Sequence, residues 1–262
     1  MRHRADEPGD GSRRAELTSC RLVWQRCVAG GADRRRHGVT LLTKRTIFFA
    51  AMLVGAFGAA APVLAHPHVW VDAKAELVFD GKGEITAVRN IWRFDDAYSA
   101  FASQGLDTNG DGKLSTDELK PLADINVESL KDYAYFTFIT GAGGEDIDFD
   151  KPTEYWLQDD GGHLILFFTL PTKAPVKAAG KIRLEIYDPT FFVAFRMIDD
   201  KDGPIVLDGA PAACAAKAFR PPDMDPAAAA ALAAVPADQR NLPPALQLLA
   251  DDQTNGADIA CP

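Results

Sequence analysis

Twelve residues constrain this chain more than any other stretch: Asp107 to Glu118, reading Asp-Thr-Asn-Gly-Asp-Gly-Lys-Leu-Ser-Thr-Asp-Glu. Oxygen donors fall at the first, third and fifth places (Asp107, Asn109, Asp111), and the backbone carbonyl of Lys113 at the seventh. Ser115 at the ninth donates directly or through water, and Glu118 at the twelfth offers two oxygens. This is the spacing of an EF-hand calcium loop, in which a hard cation collects six to eight oxygens from all sides. Gly112 at the sixth place permits the sharp turn that a Cβ resists. Such a loop demands a helix on each side. The plainer alternative is a polar loop joining two helices.

The flanks supply those helices. An aspartate of Asp95-Asp96 caps an entering helix whose apolar side carries Ala97, Tyr98, Phe101 and Ala102. On the exit side Leu119, Leu122 and Ala123 share one face, while Pro121 is expected to kink or end that helix. A fresh helical stretch is expected over 124–135. The only other acidic alternation, Asp146, Asp148 and Asp150, lacks the sixth-place glycine and twelfth-place glutamate, and reads as an edge strand. A single loop leaves Leu114 without a symmetric partner, so it should pack on the rest of the domain.

Everything around this insertion has strand period. Val69, Val71, Ala73, Ala75, Leu77 and Phe79 alternate with polar residues, Asp80 to Gly83 is a turn, and Glu84 to Arg93 returns. Further strands are expected at 134–140, 155–158, 163–170, 181–187, 191–198 and 205–207. Asp159 to Gly162 reads as a longer hairpin loop. The run Leu164 to Phe168 is apolar enough to be covered on both faces. Beyond Ala210 the composition turns to Ala and Pro, with short helices expected over 227–234 and 243–249. The fold class expected is α+β: a mainly antiparallel β-sandwich-like domain, 66–210, interrupted by the helical EF-hand insertion at about 95–132, with an Ala/Pro-rich tail, 211–262.

Residues 43–65 read as a secretory signal: Lys44 and Arg45, an apolar run from Ile47 to Ala60, then Val63-Leu64-Ala65 as a cleavage site. The run is too short for a stable membrane span. Residues 1–42 form an Arg-rich leader ahead of it, read as an over-extended start. Cleavage of the 262 residues after Ala65 leaves 197. The removed part holds 11 of the 28 Lys/Arg and 5 of the 37 Asp/Glu, so the remainder carries 17 against 32, a net charge of −15. That surface suits cations and excludes nucleic acid and anionic lipid as partners. Cys20 and Cys27 fall in the leader. Cys214 and Cys261 remain, and one pair in an exported chain reads as a disulfide, the alternative being two free thiols.

Export to the periplasm would give His66 a free amino group beside its imidazole, a chelate for Ni, Co, Cu or Zn. His68 extends the set, His163 is the third histidine available, and Asp72 is a conceivable oxygen ligand. The alternative is a solvated terminus. No Gly-x-Ser-x-Gly, phosphate loop or His-Glu-x-x-His occurs, so nothing supports an enzyme.

His66-Pro67-His68-Val69-Trp70-Val71-Asp72 after a signal peptide, Trp92-Arg93-Phe94-Asp95, and Tyr187-Asp188-Pro189-Thr190-Phe191-Phe192 resemble a bacterial periplasmic family of unknown function. Its members carry the label of periplasmic components of an ABC-type transport system. The resemblance covers most of the exported chain. It implies a transition-metal handling role beside a nickel/cobalt-type inner-membrane permease. The expected function is therefore an exported calcium-binding accessory or binding component for divalent transition-metal transport. The alternative is a calcium-dependent structural or interaction module with no transition metal.

Overall fold

The computed structural model describes residues 67–199, 201–236, 239 and 241–261. The leader, the signal segment, His66, Cys20 and Cys27 lie outside the described residues. No helix among those described is long and apolar enough to cross a membrane.

Strict alternation makes the first hairpin. β1 (Val69–Phe79) buries every second side chain, and β2 (Glu84–Phe94) pairs with it antiparallel. The Asp80 carboxylate accepts from the Lys82 and Glu84 amides at 2.9 Å each, and Gly83 takes φ +77°, closing the turn. β5 (His163–Lys177) joins β2, and β4 (Glu154–Asp160) joins β5, both antiparallel. The β4–β5 turn is tighter than expected. The strands pair as far as Asp160 and His163, so only Gly161 and Gly162 turn the chain, both at positive φ. That is the two-residue geometry matching strand twist. The expectation that β5 is covered on both faces also needs correction. Leu164, Leu166, Phe168 and Leu170 are buried, whereas the alternate residues are half-exposed.

The mainly antiparallel expectation fails at the other edge of this sheet. β7 (Val193–Met197) and β8 (Ile205–Asp208) both run parallel to β1. A parallel neighbour needs a long connection, and the chain supplies one by leaving for a second sheet before it returns. That sheet has the order β3-β6-β10-β9, all antiparallel, from β3 (Thr137–Thr140), β6 (Gly180–Ile186), β9 (Ala215–Phe219) and β10 (Asn255–Cys261). The inward residues of both sheets meet in one core, including Leu77, Trp92, Leu166, Leu184 and Ile259. Trp92 stands edge-on to Phe168 and Phe195, with ring centres 4.8 and 4.9 Å away.

The Ala/Pro-rich segment contributes more than its two helices, α3 (Pro226–Ala233) and α4 (Pro244–Asp251). Its last strand, β10, lies between β6 and β9. Cys214, just before β9, and Cys261, the end of β10, form a disulfide. The helices cover a smaller core of Phe191, Ala194, Leu232, Val235, Leu242 and Ala250.

The insertion consists of α1 (Asp96–Ala102), the acidic loop, and α2 (Thr116–Leu130). Pro121 neither ends nor splits α2, contrary to expectation, and the stretch expected as a separate helix is its continuation to Leu130. Pro121 is exposed, so the carbonyl it leaves without a ladder partner faces water, while Leu119, Ala123 and Val127 anchor the opposite side. Beyond α2, Ala134, Tyr135 and Phe136 take φ near +50°, so β3 begins only at Thr137. Burial of Tyr135 and Phe136 in the core offsets that backbone strain. The acidic run 146–150 makes two isolated bridges, Thr140 with Asp146 and Phe149 with Thr172, in place of the expected edge strand.

Candidate functional site: the acidic loop and the histidine end

The loop from Asp107 to Glu118 is curled around its own side chains. Asp107 Oδ1 accepts from the Gly110 amide at 2.7 Å and the Asp111 amide at 3.2 Å, and its Oδ2 accepts from Gly112 at 2.9 Å. Asn109 Oδ1 accepts from the Asp111 amide, and Asp111 Oδ1 from the Lys113 amide, both at 2.8 Å. Thus the first, third and fifth side chains all turn inward. Gly112 has φ +77° with open space where a Cβ would stand, so its requirement is conformational, not steric.

Glu118 closes the ring from the far side. One oxygen accepts from the Thr108 amide and hydroxyl at 2.9 Å, the other from the Ser115 amide at 3.0 Å and hydroxyl at 2.8 Å. The Ser115 hydroxyl accepts the Glu118 amide in return, a reciprocal cap on α2. These donors, the Ser115 amide foremost, lower the Glu118 pKa to about 2. The linkage sign follows from that depression. Glu118 contributes stability above its ordinary value of 4.5 that is lost as the pH falls towards 2. Protection of the Thr108 and Ser115 amides, taken relative to their intrinsic exchange rates, should therefore fall across that acid window in calcium-free solution. Unchanged protection down to pH 2 would refute it.

Helices hold the loop on the sheets. Asp95 caps α1 through the Tyr98 amide at 2.9 Å, and its other oxygen accepts from the Trp70 amide at 2.7 Å. The Ser99 hydroxyl, fully buried, accepts from the Leu164 amide at 3.0 Å. The Tyr98 hydroxyl donates to Asn126 on α2 at 3.3 Å, and the Tyr155 hydroxyl of β4 donates to Asp124 at 3.0 Å. Leu106 and Leu114 pack on the main core, as a loop without a symmetric partner requires.

Of the three candidate histidines, His68 and His163 are described and His66 is not. His68 stacks on Phe192 with ring centres 4.4 Å apart, and its amide donates to the Phe192 carbonyl at 2.9 Å. His163 Nδ1 lies 2.9 Å from Asp96 Oδ1, off the line of a hydrogen bond, an ion pair only when the ring is protonated. Asp72 is taken by Arg196, at 2.6 and 2.8 Å. Among the described residues no group of three or more His, Cys, Asp or Glu is gathered as a metal ion would require.

Asp188 is the residue whose role the sequence does not reveal. Its buried carboxylate accepts from the Thr190 amide and hydroxyl at 2.8 Å and from the Phe192 and Val193 amides at 3.0 Å. Burial raises its pKa, and those donors pull it back only in part. The turn it holds brings Phe191 into the small core at φ +53°, sets Phe192 under His68, and offers Pro189 O to Gln247 of α4 at 2.7 Å. The signal available was Asp-Pro-Thr itself, a turn initiator ahead of an apolar strand.

An uncharacterized 15.5 kDa protein in the trpE 3'region of Spirochaeta aurantia is 31% identical over 101 residues, 38% of this chain and 70% of that protein. The model of a family described as "Protein of unknown function (DUF1007)" matches residues 49–261, which span both sheets, the acidic loop and the disulfide, and the chain belongs to that family.

Proposed function

We propose that this chain is an exported calcium-binding protein that serves in the periplasm as an accessory or binding component for divalent transition-metal transport. One observation carries the calcium half of this reading. Side chains at the first, third and fifth loop places turn inward around a positive-φ Gly112, and Glu118 closes the ring. Asp107, Asn109, Asp111, Glu118 and the Lys113 carbonyl, with Ser115, supply the oxygens a calcium ion takes. Bound there, the ion would neutralise the loop carboxylates and tie α1 to α2. A lone loop of extracellular type binds at about 0.1–1 mM. At ten times that constant, calcium adds about 1.4 kcal/mol, a lock more than a signal.

The test is Glu118→Gln in purified exported protein. Its thermal midpoint should fall below wild type in millimolar calcium and match it more closely in chelator. An equal loss in both would sink the calcium reading.

For transport, the support is the histidine-rich start and the resemblance of that start to periplasmic transport components. His66 and His68 would bind Ni, Co, Cu or Zn, with His163 as a further ligand and an inner-membrane permease as partner. A second reading keeps the calcium lock without any transition metal. The stacking of His68 on Phe192 and the placement of His163 beside Asp96 favour it. Titration with each metal separates the two. Affinity should drop at least tenfold, a loss of about 1.4 kcal/mol, when His66 and His68 become Ala. Unchanged affinity leaves the second reading.

A further inference from the structure

The chain contains two Asn-Gly pairs, Asn109-Gly110 and Asn255-Gly256. The pair is chemically special because glycine has no Cβ to shield its amide nitrogen and is free to rotate it towards the preceding side chain. The two pairs sit in opposite environments. Asn255 is buried in β10, where its Oδ1 accepts from the Met197 amide at 3.3 Å and its Nδ2 donates to the Phe195 carbonyl at 2.7 Å. Gly256 lies in the ladder between β6 and β9, and a Cβ there would collide with the Leu184 carbonyl oxygen. The side chain cannot move without breaking its bonds to β7, nor the backbone without opening the second sheet.

Asn109 and Gly110 are exposed, with open space around the Gly110 Cα. Only contacts within the loop hold them. The Gly110 amide donates to Asp107 Oδ1 at 2.7 Å, and the Asn109 side chain spans Asp111, accepting at 2.8 Å and donating at 3.2 Å. Solvent-exposed bonds of this kind open locally, far more often than the domain unfolds.

We propose that Asn109 is a self-modification site, converted to aspartate and isoaspartate whenever the acidic loop opens. The Gly110 nitrogen gives up its proton to a base and attacks Asn109 Cγ. The Cγ–Nδ2 bond breaks, ammonia leaves carrying the proton, and a five-membered succinimide remains. Water then opens the ring. Cleavage of the bond to Cγ yields aspartate, and cleavage of the bond to the main-chain carbon yields isoaspartate. The net reaction is amide plus water to carboxylate plus ammonia, with no oxidant or cofactor.

The modification site stands on the loop geometry alone, while its consequence for the metal rests on the calcium reading above. Aspartate would place a third carboxylate among loop positions one, three and five, adding negative charge. Isoaspartate inserts a methylene into the backbone, which moves the Gly110 amide away from Asp107 and takes the third ligand out of step. The loop thus carries a slow chemical clock that runs while it is open and pauses while it is closed.

The experiment is peptide mass spectrometry of the exported protein after incubation at mildly alkaline pH, in chelator and in millimolar calcium. Chromatography separates the aspartate and isoaspartate forms. In chelator the peptide holding Asn109 should gain one mass unit and split into two products, while the Asn255 peptide stays unchanged. In calcium the conversion should slow several-fold. Conversion at Asn109 no faster than at Asn255 in chelator would overturn the proposal. Conversion confined to Asn109 but equal in chelator and calcium supports the site and counts against the calcium reading instead.

Discussion

A chain ending at Thr254 will not fold. The missing residues are β10, which has hydrogen-bonded neighbours on both sides, β6 from Gly180 to Ile186 and β9 from Ala215 to Phe219. Without it Ile182, Leu184 and Ile186 lose the cover of Ala257 and Ile259, all of them fully buried. Emptying the place of one such isoleucine costs about 2–5 kcal/mol. The disulfide goes too, and its span of 47 residues is worth about 4 kcal/mol in the chain-entropy account. Together these approach the roughly 5–15 kcal/mol that holds a domain together. Cys214→Ser with Cys261→Ser in the full chain is the control, because it removes the bond and keeps the ladder. Urea melts should show a cooperative, weakened transition for the control and none for the truncated chain. A truncated chain with a cooperative melt near wild type would refute the central place of β10.

Asp188→Ala should cost the full-length protein about 3 kcal/mol or more, the largest effect expected of one side chain outside the core. The substitution orphans the Phe192 and Val193 amides in a buried turn, each at about 1–3 kcal/mol. It also frees the Thr190 amide and hydroxyl, and it releases the turn in which Phe191 holds φ +53°. Three regions share that turn: His68 on Phe192, α4 through Gln247, and the small core through Phe191. Denaturant melts give the loss directly. The acid's raised pKa fixes the pH trend. Its own share of stability is complete below the ordinary aspartate value of 3.8 and is lost as pH rises through the raised one. The advantage of wild type over Asp188→Ala should therefore narrow with rising pH. A substitution that leaves the melt within about 0.5 kcal/mol, the range of surface changes, would mean that the turn holds itself.

The contrast between Asp188 and Glu118 bears on how acidic side chains act in this protein. Both accept four hydrogen bonds or more from N–H and O–H donors. Glu118 is in solvent, pays almost no desolvation, and is driven down to about 2. Asp188 is buried, and desolvation outweighs the same kind of donors. The exposed one can exchange its bonds with solvent, whereas the buried one is structural.

By itself the sequence determined whatever depends on neighbours a few residues apart. Alternation from Val69 to Phe79 and from Lys181 to Ile186 specified which side chains face the core, since the strand period leaves no other choice. An aspartate of Asp95-Asp96 as a helix cap, Asp80 to Gly83 as a turn, and the sharp bend at Gly112 were legible for the same reason, because each rests on local chemistry; the structure then assigned the cap to Asp95. The acidic loop was legible as a pattern of oxygens, and the Cys214–Cys261 bond from cysteine number together with the expectation of export.

Only the tertiary structure decided the long-range matters. Asn255-Gly-Ala-Asp-Ile-Ala-Cys is too weakly β-prone to read as a strand, yet it fills the gap between two others, and there packing overrides propensity. Pro121 stays inside a helix because the face opposite it is held by Leu119, Ala123 and Val127. The parallel edge of the first sheet follows from where the chain re-enters after β6, which no local pattern encodes. The same holds for the two described histidines: folding set His68 on Phe192 and His163 beside Asp96, contacts between residues distant in sequence, while the expected chelate at His66 lies outside the described residues.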